Sequence, residues 1–141
     1  MREILMFIMI GLMLLSCSDN DDSGNIANCD SGILVSSEQY ENASSDRLTI
    51  DKVEINGDCL SINFSSGGCS GDSWELKLID SEDILESNPP QRNLRLSFKN
   101  EELCTAYITK KMTFDISGLQ VDGNKVLLNL VNSDYKVLYE Y

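Results

Sequence analysis

No histidine occurs anywhere in the 141-residue chain. That single absence removes Ser-His and Cys-His nucleophile pairs, imidazole general bases and imidazole metal ligands. Basic residues are also scarce, 11 against 23 acidic ones, for a net charge of -12. A chain so poor in Lys and Arg lacks the clustered positive charge that displaces counterions from nucleic acid, so nucleic acid is excluded as a partner. Lys110-Lys111 is the one adjacent basic pair, too small to hold a polyanion. The five cysteines include no C-x-x-C pair, which removes thioredoxin-like redox chemistry. At this length one domain fits, with or without a targeting segment, and two do not.

What is present begins at the amino end. Ile4 to Leu15 is an unbroken twelve-residue apolar run behind Arg2. As a helix it would span about 18 Å, short of the ~30 Å bilayer core, so it reads as the apolar part of a secretory signal and not as a permanent span. Its end, Leu14-Leu15-Ser16-Cys17, resembles the lipobox of bacterial lipoproteins. The resemblance implies a signal peptide over 1–16, cleavage before Cys17, and diacylglycerol on the Cys17 thiol, which anchors the chain in the membrane. An ordinary signal peptide with an incidental cysteine is the bland alternative.

Cys17 to Asn25 has no apolar side chain beyond the cysteine itself. Its composition makes 17–30 an acidic tether that cannot repay the entropy of ordering. Ser18-Asp19-Asn20-Asp21-Asp22 is similar to the acidic export signal of surface-exposed lipoproteins in the Bacteroidota. This implies an outer-membrane lipoprotein displayed on the cell surface, with a periplasm-facing lipoprotein as the alternative. Asp19, Asp21, Ser23, Gly24 and Asp30 also match the spacing of a calcium loop. No helix is expected to flank that loop and Cys29 falls inside it, so no metal site is assigned.

From 31 to 141 the dominant period is two. Leu60, Ile62 and Phe64 alternate with polar residues, as do Trp74, Leu76 and Leu78, then Leu94, Leu96 and Phe98. Ile108, Met112, Phe114 and Ile116 share one face, and Val126, Leu128, Leu130 and Tyr135, Val137, Tyr139, Tyr141 follow. Such alternation marks strands with one buried and one wet face. Asn56-Gly57-Asp58 is a hairpin signal, and Gly67-Gly68, Asn88-Pro89-Pro90, Ser117-Gly118 and Asp122-Gly123-Asn124 are further breaks. The expected fold is all-β: an immunoglobulin-like antiparallel β-sandwich of seven or eight strands. Ser81 to Leu85 is the one stretch expected to form a helical turn. Trp74, Phe64, Phe98 and Phe114 are the expected core anchors. Tyr135, Tyr139 and Tyr141 are read as core or edge packing in preference to an aromatic binding strip.

Setting Cys17 aside leaves Cys29, Cys59, Cys69 and Cys104. An even number in an exported domain reads as two disulfides, with three pairings open. Zinc is the rival, but its ligand pairs lie two to four residues apart and none here does. Ser66-Gly67-Gly68-Cys69, Trp74-Glu75-Leu76, Asn88-Pro89-Pro90-Gln91, Leu94-Arg95-Leu96, Glu102-Leu103-Cys104-Thr105-Ala106 and Thr113-Phe114-Asp115-Ile116-Ser117 form a block. It resembles a group of small secreted lipoproteins of the Bacteroidota that has no established activity. The likeness runs from about Asp58 to Leu119 and implies a Cys69–Cys104 bridge, which leaves Cys29 to Cys59. Many of those relatives carry histidine where this chain has Asp72, so any role tied to that histidine does not transfer.

Asp80, Glu82, Asp83 and Glu86 are read as an acidic loop before Pro89, and Glu101-Glu102 with Asn100 as a polar turn. Carboxylate pairs can hydrolyse glycosides when held about 5 to 9 Å apart in a cleft. With no supporting nucleophile motif, a hydrolase ranks third. The leading expectation is a non-catalytic binding module without cofactor, presented to a glycan or an envelope protein. The second is an accessory outer-membrane lipoprotein that docks to a membrane protein. Of the charge, -4 falls on the tether and -8 on 31–141, where eighteen acids face ten bases.

Overall fold

The computed structural model describes residues 28–141; the expected signal segment, Cys17 and the Ser18–Asp22 signal lie outside them. Within the described residues no helix is long and apolar enough to cross a membrane. The strands are β1 (Ser31–Gly32), β2 (Leu34–Val35), β3 (Thr49–Asn56), β4 (Cys59–Gly68), β5 (Glu75–Leu85), β6 (Gln91–Lys99), β7 (Ala106–Asp115), β8 (Lys125–Leu130) and β9 (Lys136–Glu140). They form a four-stranded sheet, β1-β7-β4-β3, and a five-stranded sheet, β2-β5-β6-β8-β9.

The two sheets share one core. Leu60, Ile62 and Phe64 of β4 and Phe114 of β7 meet Leu78 of β5, Leu94, Leu96 and Phe98 of β6, and Val126, Leu128 and Leu130 of β8. Each is one side of the period-two pattern, so the alternation converts directly into a buried inner face. Trp74 lies edge-on to Phe98 at 5.3 Å and 85°, and Phe64 completes the aromatic group at 6.0 Å from Trp74. The architecture is therefore an all-β, sandwich-like pair of sheets.

Several details depart from the expectation. The sheets are mixed: β1 runs parallel to β7, β2 to β5, and β6 to β8. The chain leaves β6, crosses to β7 in the other sheet, and returns as β8, so β8 enters in the same sense as β6. Among the described residues strands number nine, because β1 and β2 are two-residue segments, too short to show alternation. Ser81–Leu85 is strand, not a helical turn; it continues β5 beyond an irregularity between Asp80 and Ile84, where Glu82 takes φ +72°. The helix instead is α1 (Ser37–Glu41), whose Ser36 side chain accepts from the Gln39 N–H at 3.3 Å. Ser36-x-x-Gln39 is a capping-box spacing, a signal the period-two reading passed over.

Beyond the core, α1 lies against β5 and β6. Tyr40 of the helix receives the Arg95 guanidinium 4.4 Å from its ring centroid. Gly57 and Asp58 make the two-residue β3–β4 turn, with Gly57 at φ +59°, which glycine adopts without steric cost. The tyrosines pack. Tyr139 is fully buried and donates to Asp58 Oδ1 at 2.5 Å, while Tyr141 and Tyr135 donate to the Val121 and Asp51 carbonyls at 2.8 and 2.9 Å. Burial, followed by the bond to Asp58, pushes the Tyr139 phenol up to about 12.

Candidate functional site

Two loops meet beside the mouth of the sandwich: Cys69–Trp74, leading into β5, and Asn100–Thr105, between β6 and β7. Glu102 joins them. Its Oε2 accepts from the N–H groups of Cys69, Ser70 and Gly71 at 2.5, 3.2 and 3.0 Å, and its Oε1 from the Ser73 hydroxyl at 2.9 Å. Successive amides that converge in this way form an anion-binding concavity, here filled by the protein's own carboxylate. Partial burial alone would raise the Glu102 pKa. The bonds from Gly71, Cys69, Ser73 and Ser70 outweigh it and hold the carboxyl down at about 2. A group so acidic is no proton donor near neutrality and a weak base. Glu102 was legible only as a polar turn, because the N–H groups it collects lie about thirty residues away in sequence.

The Cys69–Cys104 bridge closes the same two loops two residues from Glu102, and Cys29–Cys59 ties the amino-terminal segment to the start of β4. Of the three possible pairings the chain holds the one that the resemblance implies. Asn100 adds a further clasp: its N–H donates to Asp46 Oδ2 at 2.7 Å, its Nδ2 to the Gly67 carbonyl at 2.7 Å, and its Oδ1 accepts from the Glu102 N–H at 2.9 Å. Leu103 stands between the two anchors Glu102 and Cys104 and is 95% exposed. Tyr107, at the start of β7, is 71% exposed. A hollow of about 320 Å³ beside them is lined by Arg47, Thr49, Ser66, Gly67, Thr105 and Tyr107.

Lys110 and Lys111 do not act as a pair. β7 turns even-numbered residues inward, and Lys110 reaches along the core edge to donate to the Gly71 carbonyl at 2.8 Å and to Asp72 at 3.3 Å. Its ammonium lies 5.7 Å from the Trp74 ring centroid. Only Lys111 faces water.

Of the expected acidic loop, Asp80, Glu82 and Asp83 lie on β5, and Glu86 falls in the turn before Pro89. Asp80 sits fully buried on β5 and accepts from Arg92 Nη1 at 3.0 Å and from the Glu82 N–H at 2.8 Å, while Arg92 Nε donates to the Leu119 carbonyl at 3.0 Å. Burial raises the Asp80 pKa against the lowering effect of the Glu82 N–H and Arg92. Its position at the inner-face phase, with Trp74, Leu76 and Leu78, places it in the core and away from Glu82, Asp83 and Glu86, which are exposed. Glu86 lines a largely apolar hollow of about 460 Å³ with Ile84, Pro90, Val121 and Asp122. Among the described residues no three acidic or thiol side chains converge as metal ligands. Asp30, the one described member of the calcium spacing, instead accepts from the Thr113 N–H and hydroxyl, both at 2.8 Å. The hydroxyl bond, then the N–H bond, lowers its pKa.

No family model matches the chain, and no curated protein matches it in sequence. Solved structures do share its fold. A protein of unknown function, DUF1344, from Bacteroides vulgatus ATCC 8482 is similar at TM-score 0.52 and 17% identity, over 79% of this chain and 56% of that one. A putative toxin-related protein from Parabacteroides distasonis ATCC 8503 is similar at TM-score 0.54 and 17% identity, over 77% and 61%. A NigD-like immunity protein from Bacteroides caccae ATCC 43185 is similar at TM-score 0.55 and 8% identity, over 77% and 57%. The matched region spans 56–61% of the length of these chains, and at such identities the likeness is one of fold alone.

Proposed function

We propose that this protein is an outer-membrane lipoprotein, anchored through Cys17 and carried to the cell surface by Ser18–Asp22, whose immunoglobulin-like sandwich binds a partner protein and performs no catalysis. The observation that carries the binding reading is Leu103. The backbone of this leucine is held between a saturated carboxylate and a disulfide, so little main-chain freedom is left to lose when a partner arrives. Preordered apolar anchors bind well because little entropy remains to be lost. The bonding of the two carboxyls supports the non-catalytic reading: Glu102 is tied to four backbone amides or hydroxyls and Asp80 to Arg92, so both serve the fold. A protein partner fits better than a glycan, because Tyr135, Tyr139 and Tyr141 bond inward instead of forming an aromatic strip.

The apolar run, Ser16-Cys17 and the acidic stretch support the anchoring reading. An immunity role, the description one of the similar structures bears, would be one form of protein binding without chemistry. The test uses the full chain in a Bacteroides host. Labelled palmitate should enter the wild-type chain and not Cys17→Ser, and surface protease should reach it in intact cells. Crosslinking should capture a specific protein that Leu103→Asp loses at an unchanged melting temperature. Equal capture by Leu103→Asp, or labelling of Cys17→Ser, would overturn the corresponding half.

A further inference from the structure

The four-stranded sheet has two edges, and they are treated differently. β3 is interrupted by a bulge between Ile50 and Lys52, carries Lys52 and Glu54 as an ion pair at 2.7 Å, and has its Asp51 carbonyl covered by the Tyr135 hydroxyl. Bulges and charges of this kind discourage strand addition. β7 has no bulge against β4: the register runs without a shift from Gly68↔Ala106 to Cys59↔Asp115. Its other side is covered only at the far end, where β1 pairs with Phe114 and Asp115 and Asp30 occupies the Thr113 N–H. Among the described residues, Ala106 to Met112 is left as an open edge.

The direction of its backbone groups follows from two bonds. The Ile116 N–H donates toward β4, to the Asp58 carbonyl at 2.9 Å, whereas the Thr113 N–H donates away from it, to Asp30. Since N–H and C=O alternate sides along a strand, Tyr107, Thr109 and Lys111 present theirs to the open edge. The midpoint of the open window is Thr109.

We infer that this edge pairs with the same edge of a second copy of the chain, antiparallel about a two-fold axis through Thr109, to give one continuous eight-stranded sheet. The two ends of the window set that register: sliding one way drives each strand against the other copy's Asp30 and β1, and sliding the other way carries the pairing past Ala106 and loses paired positions. In this register Thr109 faces Thr109, and Tyr107 of each copy faces Lys111 of the other. No lysine meets a lysine, because Lys110 stands opposite Ile108. The Tyr107 ring can take the Lys111 stem and ammonium, a favourable cross-strand pair. The acidity of the chain opposes association at long range, but exposed charges more than about 8 Å apart are largely screened at physiological salt. The pairing is independent of lipid attachment.

The register predicts Thr109 Cα atoms about 5.5 Å apart, a separation a disulfide can span. In the full chain, in intact cells, Thr109→Cys should therefore give a disulfide-linked dimer on a non-reducing gel, and Lys52→Cys on the opposite edge should not. Adding Tyr107→Lys to Thr109→Cys sets lysine against Lys111 twice across the axis and should cut the dimer about tenfold. Adding Lys111→Glu as well should restore it, because each introduced lysine then faces a glutamate. Tyr107 is exposed, so the melting temperature should stay within a degree or two, which separates lost pairing from lost folding. Absence of the Thr109→Cys dimer, equal yield from Lys52→Cys, or no rescue by Lys111→Glu would each overturn the proposal.

Discussion

A β-carbon placed on Gly68 would lie 2.5 Å from Glu102 Oε2 and 2.9 Å from Trp74 Cζ2. One on Gly71 would meet Lys110 Cε at 2.7 Å, on a backbone whose φ is +74°. These two glycines are what allow the Cys69–Trp74 loop to close over both a carboxylate and an indole. Gly68→Ala and Gly71→Ala should each destabilise by about 1–3 kcal/mol, measured by urea unfolding. Gly67→Ala, with nothing within 4 Å, should cost clearly less. Glu102 sets a pH dependence. Its folded pKa, about 2, lies below the ordinary 4.5, so its stabilisation is complete above about pH 4.5 and is lost as pH falls toward 2. Asp30 acts in the same direction and Asp80 in the opposite one. The difference between wild-type and Glu102→Gln melting curves isolates the Glu102 part: it should be largest near neutrality and shrink on acidification from pH 4.5 to 2. A difference that does not change with pH would show that the carboxylate's charge contributes nothing.

Among the elements, β3, β4, β6, β7, β8 and β9 stood in the sequence almost as they stand in the fold, because each has one buried face and alternation is the direct imprint of that geometry. The phase slip between Ile50 and Val53 is the mark of a bulge: both side chains pack on the core, which a regular strand would not permit three residues apart. The alternation marks β5 only as far as Leu78, because Asp80, at the inward phase, looks like a break in an apolar pattern. Its partner Arg92 comes from β6, and neither residue alone reveals the other. Asp80→Ala should cost about 3–5 kcal/mol by stranding the buried guanidinium. Asp80→Leu with Arg92→Met should recover most of that loss in chemical denaturation, since an apolar pair also fills the space. A double variant as unstable as the single one would mean that the pair is irreplaceable for packing reasons.

At the scale of the whole molecule, two bridges close stretches with sequence separations of 30 and 35. On the chain-entropy account each contributes about 3.5–4 kcal/mol, comparable to much of the net stability of about 5–15 kcal/mol expected for a domain of this size. Reducing agent should lower the melting temperature by roughly 15 °C per bridge. An unchanged curve with all four thiols freely reactive would refute that contribution. The bridges also divide the labour: Cys29–Cys59 holds the entry of the chain to the sandwich, and Cys69–Cys104 stiffens the loops that carry Leu103.

The sequence by itself determined the class of fold, the inner faces of the long strands, the number of cysteines left for bridges, and the absence of imidazole chemistry. Each of these depends on composition or on neighbours within a few residues, where local periodicity carries the information. Only the tertiary structure decided that the sheets are mixed, that Glu102 closes a loop some thirty residues away, that Asp80 is a core residue paired with Arg92, and that β7 keeps an open edge among the described residues. Those features arise where segments distant in sequence meet, and a hydrogen bond or ion pair across that distance leaves no periodic trace in either segment.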